Sequence, residues 1–408
     1  LAFIKTGDPV ILRYILTFLL FGKKMYYIDD NLDTIAFRKW CEVEDRLQGY
    51  ESPNFVTDLA DIVRFVMKEW EDSVFLPKHG GGAVSERKVQ GVIAKNDAFT
   101  TTDVLDFVFR RMRRDGTKHP TVESYPLDAP QKRSRNNQVS RLSFVPKDIG
   151  TTRSICMEPI PYMWAQQGVR AWYEKALLSG PIGNSIPLHD QTVSSEAAQY
   201  GSLTSTLDTI DLSSASDSVA WELVKSIFPP HILKYLWATR SSTVETPDGR
   251  REVAKFAPMG SALCFPVQST VYAAVVILCG IAWRYGEEID SIDLSGLNIE
   301  NLYQTSFARS LGKGSSKRLE PFFVYGDDII CDSRITSNVI RALNLLGFTV
   351  NEGKSFVAES AFRESCGGYH WGGRDVTPLR FKVKQISKRI SIESVDGIVD
   401  LINRANER

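Results

Sequence analysis

Two adjacent aspartates, Asp327 and Asp328, stand between short apolar runs and are the residues best suited to chemistry in this chain. Phe322–Val324 precedes the turn that holds them, and Ile329–Cys331 follows it. The pattern predicts a strand, a tight turn and a second strand, because Gly326 lacks the Cβ atom that restricts other residues. Carboxylate oxygens at a hairpin tip suit a hard divalent cation. The alternative is a plain polar turn, since Gly-Asp is a common turn dipeptide.

A second carboxylate position lies about a hundred residues earlier. Residues 207–212 have the composition of a strand, and Val219–Phe228 has that of a helix, which the prolines at 229 and 230 end. Asp211 therefore lies at the carboxyl end of a strand, where it faces a crevice. Asp217 lies in the serine-rich stretch before the helix. The alternative is that one of these aspartates only caps that helix.

The order of the main predicted elements from residue 207 to residue 350 is strand, helix, helix, hairpin, helix, strand. That order is typical of a ferredoxin-like antiparallel sheet with helices on one face, in which Asp211 approaches Asp327 and Asp328. Two carboxylates about 4 Å apart repel by roughly 4 kcal/mol at an effective dielectric constant near 20. Such a cluster takes up protons or binds divalent cations. Two cations form the usual clamp for in-line phosphoryl transfer, so the pattern indicates nucleotidyl transfer.

A basic segment precedes both carboxylate positions. Between Arg110 and Arg153 there are eleven basic and four acidic residues, a local charge of +7 in a chain with 49 basic and 49 acidic residues. Its later part alternates like a strand from Val139 to Val145, and we expect Pro146 to end that strand. Cations spaced along strands favour a channel that follows phosphates over a merely solvated face. The basic residues are Arg110, Arg111, Arg113, Arg114, Lys118, Lys132, Arg133, Arg135, Arg141, Lys147 and Arg153.

The remaining composition excludes several classes of protein. The six cysteines and five histidines are dispersed without zinc spacing, which predicts free thiols in a reducing cytosol. The apolar run from Val271 to Trp283 is too short to cross a bilayer and predicts a buried helix. The glycines after His79 lack the Lys-Ser/Thr of a nucleotide-binding P-loop. The sequence begins at Leu1 without a start methionine, so we expect a fragment of a longer protein.

Taken in order, these motifs resemble those of the replicase catalytic subunit of the leviviruses, the small positive-strand RNA bacteriophages. The resemblance runs from about Lys78 to Lys382. The motifs that carry it are His79–Val84, Phe144–Pro159 (motif F), Ile210–Ser218 (motif A), Met259–Ser269 (motif B), Tyr325–Asp328 (motif C), Asn351–Ser355 (motif D), and Phe362–Gly367 with Asp375–Pro378 (motif E). Motif C alone is moderately specific for this family, whereas the whole set of motifs in this order is highly specific for it.

The resemblance implies an α+β right-hand polymerase with fingers, palm and thumb. Residues 1–200 would be mainly fingers, including the motif F strands. Residues 201–375 would be a palm with motifs A to E and a finger-like insertion near 231–256. Residues 376–408 would begin the thumb, which we expect to be truncated.

The resemblance also implies roles for the site residues. Asp211, Asp327 and Asp328 would bind two Mg²⁺ ions, for which Mn²⁺ can substitute, and Lys354 would act as the general acid for the leaving pyrophosphate. The residues that would bind or position the incoming nucleotide, including its ribose 2′-hydroxyl at Asp217, are Lys147, Arg153, Asp217, Gly260 and Ser261.

The implied activity is RNA-directed RNA synthesis from ribonucleoside triphosphates in the cytoplasm of the bacterial host. The implied partners are RNA template and product and the host translation elongation factors Tu and Ts, without a membrane. Two alternatives stay open. A reverse transcriptase shares the palm and the carboxylates and is distinguished by its use of deoxynucleotides. A decayed, non-catalytic RNA-binding protein would show no dependence on Mg²⁺ or Mn²⁺.

Overall fold

The computed structural model describes residues 6–24, 30–73, 79–99, 103–112, 139–307, 320–357, 360–381, 399 and 402–403. Its helices are α1 Pro9–Leu20, α2 Asp30–Gln48, α3 Val56–Val66, α4 Gly91–Asp97, α5 Asp103–Met112, α6 Ile160–Ser179, α7 Gln191–Thr204, α8 Trp221–Ile227, α9 Pro230–Ala238, α10 Cys264–Tyr285, α11 Ile299–Phe307 and α12 Thr336–Leu345. Its strands are β1 Val139–Asp148, β2 Thr151–Met157, β3 Leu207–Ser213, β4 Thr243–Thr246, β5 Gly249–Glu252, β6 Phe323–Tyr325, β7 Asp328–Asp332, β8 Thr349–Val350, β9 Phe362–Ser365, β10 Gly368–Trp371 and β11 Arg374–Asp375.

A four-stranded antiparallel sheet with the order β6-β7-β3-β8 forms the centre of the fold. The chain runs from β3 through α10 to the β6–β7 hairpin, and then through α12 to β8. This β-α-β-β-α-β connectivity is that of a split βαβ unit. The predicted α+β class is confirmed, and β7 lies beside β3 as the sequence pattern requires.

Helix α10 crosses the main hydrophobic core behind this sheet. Nearly all of its residues from Cys264 to Ala282 are buried, because it is apolar all round rather than on one face. By length and composition this helix is able to cross a membrane, but 94% of its most apolar window is buried inside the protein. The helix predicted from Val271 to Trp283 is therefore confirmed as a core element with longer bounds.

A second four-stranded sheet has the order β2-β1-β4-β5 and carries the strands of motif F. Strand β1 pairs antiparallel with β2 and parallel with β4. The prediction that Pro146 ends β1 is wrong, since the strand continues to Asp148. Pro146 pairs with Thr152 next to a shift in register, and a bulge of this kind tolerates a residue that has no N–H donor.

The helix predicted from Val219 begins two residues later, at Trp221. Ala220 has extended backbone angles and forms an isolated antiparallel bridge with Lys255, so it belongs to a loop pairing rather than to the helix. A third, three-stranded sheet with the order β11-β10-β9 contains motif E. The turn between β9 and β10, at Cys366 and Gly367, reaches the carboxylate site.

Candidate active site

The register of the central sheet places Asp211 directly opposite Asp328. Asp211 on β3 is the cross-strand partner of Asp328 on β7, so both side chains leave the same face of the sheet. Both are half-buried, whereas Asp327 is exposed at the tip of the turn. Desolvation, with the charges of Asp327 and Asp211, raises the pKa of the Asp328 carboxyl to about 7. The predicted approach of motifs A and C is thus present, and it carries the expected electrostatic cost.

Motif D surrounds Asp211. The Asn351 side-chain amide donates to Asp211 Oδ2 at 2.8 Å, and Lys354 Nζ lies 3.7 Å from the same oxygen. The Asp211 backbone N–H donates to Ser355 Oγ at 3.1 Å, and its carbonyl accepts from the Asn351 N–H at 2.8 Å. Desolvation raises the pKa of Asp211, an effect that Lys354 and Asn351 oppose and Asp327 reinforces. Motif D therefore fixes the position of this carboxylate while neutralising only part of its charge.

Helix α10 supports the aspartate turn through motif B. The Gly326 N–H donates to Ser269 Oγ at 3.1 Å, and the Phe265 ring packs edge-on against Tyr325 with centroids 5.0 Å apart. Gly326 has φ +62°, and a Cβ atom there would lie 2.4 Å from Phe265 Cε2 and 3.2 Å from Gln268 Nε2. Glycine is thus required both for the backbone conformation and for the close approach of the helix. The turn is seated on a rigid, buried element.

Motif E contacts the second aspartate of the turn. The Cys366 backbone N–H donates to Asp328 Oδ2 at 3.1 Å. This bond favours the charged carboxylate, yet desolvation and the neighbouring aspartates outweigh it. Desolvation, with the charge of Asp328, raises the pKa of the Cys366 thiol to about 12, so this cysteine stays protonated. All six cysteines are free thiols, as predicted, and four of them are buried.

Cations of motifs F and D lie opposite the carboxylates. Lys147 and Arg153 are exposed on the β1–β2 hairpin, where Arg153 pairs with Val145. Desolvation lowers the pKa of Lys147, as do the charges of Arg153 and Lys354, while Asp327 raises it. Lys147 therefore lies within electrostatic reach of all three of these side chains. The motif F hairpin thus adds positive charge in the neighbourhood of the aspartate turn.

Motif B also reaches the motif F hairpin through its glycine loop. Gly260 has φ +123°, and a Cβ atom there would lie 2.0 Å from the carbonyl oxygen of Cys156 on β2. The Cys156 N–H donates to the Met259 carbonyl at 2.8 Å, and Ser261 Oγ accepts from the Leu263 N–H at 3.3 Å. The predicted loop of Gly260 and Ser261 is thus packed against β2 and joins the two sheets.

Asp217 lies in a 3₁₀ turn formed by residues 215–217. Its Oδ1 accepts from Lys255 Nζ at 3.1 Å, and its side chain is 15% exposed. Its charge helps to raise the pKa of the Cys264 thiol to about 12, chiefly an effect of burial, and Asp327 acts on the same thiol. Asp217 therefore borders the space beside the aspartate turn and does not cap α8, whose N-cap is Ala220.

Comparison with known proteins identifies the family. The family model for the RNA replicase beta-chain matches residues 112–284 and 297–404, which is most of the sequence. The chain belongs to the RNA replicase beta-chain family. The resemblance inferred from the ordered motifs is thereby confirmed.

Individual members of the family are moderately similar. The chain is 36% identical to the RNA-directed RNA polymerase beta chain of Escherichia phage MS2 over 240 residues, 58% of this chain and 37% of that protein. It is 33% identical to the RNA-directed RNA polymerase subunit beta of Enterobacteria phage SP over 331 residues, 79% of this chain and 50% of that protein. For Escherichia virus Qbeta the identity is 31% over 245 residues, 60% of this chain and 35% of that protein. The chain spans half or less of the length of these relatives.

The carboxylates fit a divalent cation whose remaining coordination positions are filled by substrate phosphates. In the described ranges, no group of three or more His, Cys, Asp or Glu side chains is arranged to hold a metal ion. The structure provides instead one registered carboxylate pair, Asp211 and Asp328, with the exposed Asp327 next to it. Mg²⁺ is usually held by one or two carboxylates together with substrate phosphates, so a pair is a sufficient protein contribution. Desolvation, and after it the charges of Asp327 and Asp211, raises the pKa of Asp328, and a bound cation would favour the ionised carboxylate.

The predicted basic channel is only partly described. Arg113, Arg114, Lys118, Lys132, Arg133 and Arg135 lie outside the described residues. Arg111 is paired with Asp72 and donates to the Asp72 carbonyl at 2.9 Å, which makes it a structural contact on the side of α5. Among the residues that the structure describes, the prediction of a basic channel rests on Lys147 and Arg153 of the motif F hairpin.

Several supporting residues escaped the sequence analysis. Ser269, Asn351 and Cys366 were noted only as letters within motifs, although each hydrogen bonds to the aspartate turn or to Asp211. Lys255 was not noted, because a lone lysine near a predicted hairpin has no periodic signal. A cross-strand register or a buried ion pair joins residues far apart in sequence, and one sequence does not specify it.

Proposed function

We propose that this chain carries the catalytic centre of an RNA-directed RNA polymerase that replicates a positive-strand RNA phage genome. The observation that carries the proposal is the cross-strand pair of Asp211 and Asp328 beside Asp327, with the motif F cation Lys147 within electrostatic reach of Asp327. Template-directed synthesis from ribonucleoside triphosphates needs both features, because a reacting triphosphate brings several negative charges beside the carboxylates. The relatives from phages MS2 and SP, which are RNA-directed RNA polymerase beta subunits by name, agree with this activity.

Asp211 and Asp328 would hold two Mg²⁺ ions, or Mn²⁺ in their place, with Asp327 as a further ligand. When bound, such ions neutralise phosphate charge and stabilise the attacking and leaving oxygens of an in-line displacement. The product 3′-hydroxyl gives up its proton to solvent water as its oxygen attacks the α-phosphorus, and the bond from that phosphorus to the bridging oxygen of the pyrophosphate breaks.

The remaining side chains orient the nucleotide and complete the proton balance. Lys147 and Arg153 bind the triphosphate, and Lys354 donates a proton to the leaving pyrophosphate as a general acid. Gly260 and Ser261 shape the loop under the template and nucleotide. Asp217 accepts a hydrogen bond from the ribose 2′-hydroxyl.

Two of the sheets support the proposed division into fingers and palm. The central sheet carries motifs A, C and D and corresponds to the palm within residues 201–375. Strands β4 and β5, from the insertion near 231–256, join the motif F strands of residues 1–200, as finger strands would. The assignment of residues 376–408 to the start of a truncated thumb stays a prediction.

The proposed partners are RNA template, RNA product and ribonucleoside triphosphates. Host elongation factors Tu and Ts are proposed from the family resemblance alone. The proposed location is the cytoplasm of the bacterial host, where the free thiols of this chain would persist.

The experiment is incorporation of labelled nucleotides on a short single-stranded RNA with Mg²⁺ or Mn²⁺. Asp327→Asn removes a proposed metal ligand, and Asp332→Asn is the matched control, because Asp332 lies on the same hairpin but pairs with Arg334 at the surface. We expect template-dependent incorporation of ribonucleotides, lost in Asp327→Asn and kept in Asp332→Asn. Preferential incorporation of deoxynucleotides would indicate a reverse transcriptase. Tight RNA binding without any dependence on divalent cations would indicate a decayed polymerase.

A further inference from the structure

Lys255 is a fully buried lysine at the edge of the proposed nucleotide site. Its side chain has 0% exposure, and its Nζ lies 3.1 Å from Asp217 Oδ1 and 3.3 Å from Glu44 Oε2. The ammonium also lies 4.2 Å from the centre of the Trp40 ring. One buried cation thus joins a motif A carboxylate to Trp40 and Glu44 of helix α2, which lie far from it in sequence.

A buried ion cluster of this kind is costly to disturb. Desolvating a charge costs several kcal/mol, and removing one partner leaves the others uncompensated. Glu44 is also fully buried and accepts a hydrogen bond from the Ala254 N–H, so it fixes the backbone next to Lys255. The ammonium is therefore held from one side by α2 and directed at Asp217 on the other.

Helix α2 makes two further contacts with the same region. Arg46, two residues after Glu44 on the same helix, donates to Ser218 Oγ at 3.2 Å and to Thr349 Oγ1 at 3.0 Å. Ser218 directly follows Asp217, and Thr349 lies on β8, the strand beside β3. The helix is thus linked to the motif A loop at two adjacent residues, at Asp217 through Lys255 and at Ser218 through Arg46.

The geometry of Asp217 makes this link relevant to the nucleotide. Lys255 occupies Oδ1, whereas Oδ2 accepts no hydrogen bond from the part of the chain that the structure describes. The side chain is 15% exposed, so a part of it reaches the space bordered by Cys264 and the aspartate turn. A carboxylate with one oxygen anchored and the other open is arranged to accept a hydrogen bond from a ligand hydroxyl.

We propose that Lys255, held by Glu44, is a positioning residue that orients Asp217 toward the ribose 2′-hydroxyl, so that helix α2 sets the preference for ribonucleotides over deoxyribonucleotides. The inference rests on the proposed function of Asp217. A site built to bond a hydroxyl discriminates against the analogue that lacks it, because its polar group is then left unpaired.

The test measures the ratio of kcat/KM for ATP to that for 2′-deoxyATP on an RNA template with a single uridine. Equilibrium affinities for the two nucleotides are measured on the same RNA complex. Lys255→Met keeps the length of the side chain and its packing on Trp40 but removes the charge. We expect it to lower both the kcat/KM ratio and the corresponding ratio of affinities about tenfold, the equivalent of one charged hydrogen bond. Glu44→Gln leaves the Lys255–Asp217 pair in place and should lower them less.

The matched control is Lys95→Met. Lys95 is also buried and donates to the carbonyls of Gly80 and Gly82, with no carboxylate among these partners. It should lose thermal stability without a change in either ratio. A double-mutant cycle separates positioning from general destabilisation: if Lys255 acts through Asp217, Lys255→Met adds nothing to the loss of preference in Asp217→Ala.

Three results would overturn the inference. If Asp217→Ala leaves the ratios unchanged, the ribose role of Asp217 fails and the inference fails with it. If Asp217→Ala lowers the ratios and Lys255→Met does not, the positioning role alone fails and the proposed function stands. If the two losses multiply in the double variant, Lys255 acts independently of Asp217.

Discussion

Strand β3 carries two aspartates three residues apart that the protein treats in opposite ways. Asp208 is buried and pairs with the buried Arg363 at 2.8 Å, while Thr336 Oγ1 donates to its other oxygen at 2.8 Å. Asp211 is half-buried, lies 3.7 Å from the ammonium of Lys354, and faces another carboxylate, Asp328, across the sheet. The first carboxylate is neutralised within the fold, whereas the second is left with unsatisfied charge.

The difference shows where stability and function are separated in this sheet. Asp208 and Arg363 tie β3 to β9 through a closed ion pair that offers nothing to a ligand. Asp211 and Asp328 destabilise the fold through desolvation and repulsion, and binding of the proposed cation would release that unfavourable energy. Their cations differ in the same sense, since an arginine holds its proton permanently and a lysine is able to release one.

The largest effect should come from replacing each of these two aspartates in turn by asparagine. Asp211→Asn should lower nucleotide incorporation about 1000-fold or more, because a metal ligand is lost. Its free energy of unfolding without divalent cations should stay level or rise by about 1 kcal/mol, since a repulsion is removed. Asp208→Asn should lose about 3–5 kcal/mol of stability, because Arg363 is left as an uncompensated buried charge.

Chemical denaturation and labelled incorporation on the same preparations check this pair. The separate roles of Asp208 and Asp211 would be contradicted if Asp211→Asn proves the less stable variant, or if folded Asp208→Asn loses as much activity as Asp211→Asn. In either case the two carboxylates would share one role.

The next largest effect should come from disturbing the contact between the aspartate turn and α10. Gly326→Ala places a Cβ 2.4 Å from Phe265 Cε2 on a backbone with φ +62°, and we expect incorporation to fall about 100-fold through displacement of Asp327 and Asp328. Gly347→Ala is the matched control, because Gly347 has φ +83° but its nearest contact, Tyr50 Cδ2, lies at 3.8 Å. It should cost only the backbone strain of about 1 kcal/mol, with activity kept. Equal losses of activity would show that the helix contact does not position the turn.

The sequence was sufficient for the α+β class, the order of the central elements and the choice of Asp211, Asp327 and Asp328 as candidates. Apolar runs and turn residues are local signals, and the motifs occur in a fixed order. It was insufficient for distinguishing Asp208 from Asp211 by physical pattern, because Arg363 and Asn351 approach β3 only in the folded chain. The end of β1 was wrong for a related reason: whether Pro146 ends a strand depends on the bulge that its partner strand allows.

A smaller effect should separate two roles of Lys354. Lys354→Met removes both the charge beside Asp211 and the proposed proton donor, and we expect kcat to fall about 10- to 100-fold. Lys354→Arg keeps the charge but holds its proton too tightly to donate it. If Lys354 is a general acid, both variants should lose kcat to a similar extent in single-turnover measurements. Recovery of most of the activity in Lys354→Arg would show instead that it acts by charge, as Arg363 does beside Asp208.

The smallest effect concerns the pH dependence of stability. Desolvation is the main cause that raises the pKa of Asp328, and of the buried Glu158 beside Ser241, to about 7 in the folded chain, whereas both titrate near 4 when unfolded. The folded state therefore takes up protons first as the pH falls from about 8 to about 6. Without divalent cations, its free energy of unfolding should rise over that interval by about 1–2 kcal/mol, since water and salt screen part of the charge.

The two contributions to this pH dependence are separable by thermal unfolding. Asp328→Asn should remove one part and Glu158→Gln the other. Saturating Mg²⁺ should remove only the part that belongs to Asp328, because a bound cation keeps that carboxylate deprotonated at both pH values. If Mg²⁺ leaves the pH dependence of the wild-type chain and of Glu158→Gln unchanged, Asp328 does not bind the cation. The contrast between Asp328 and Asp208 would then not reflect metal binding.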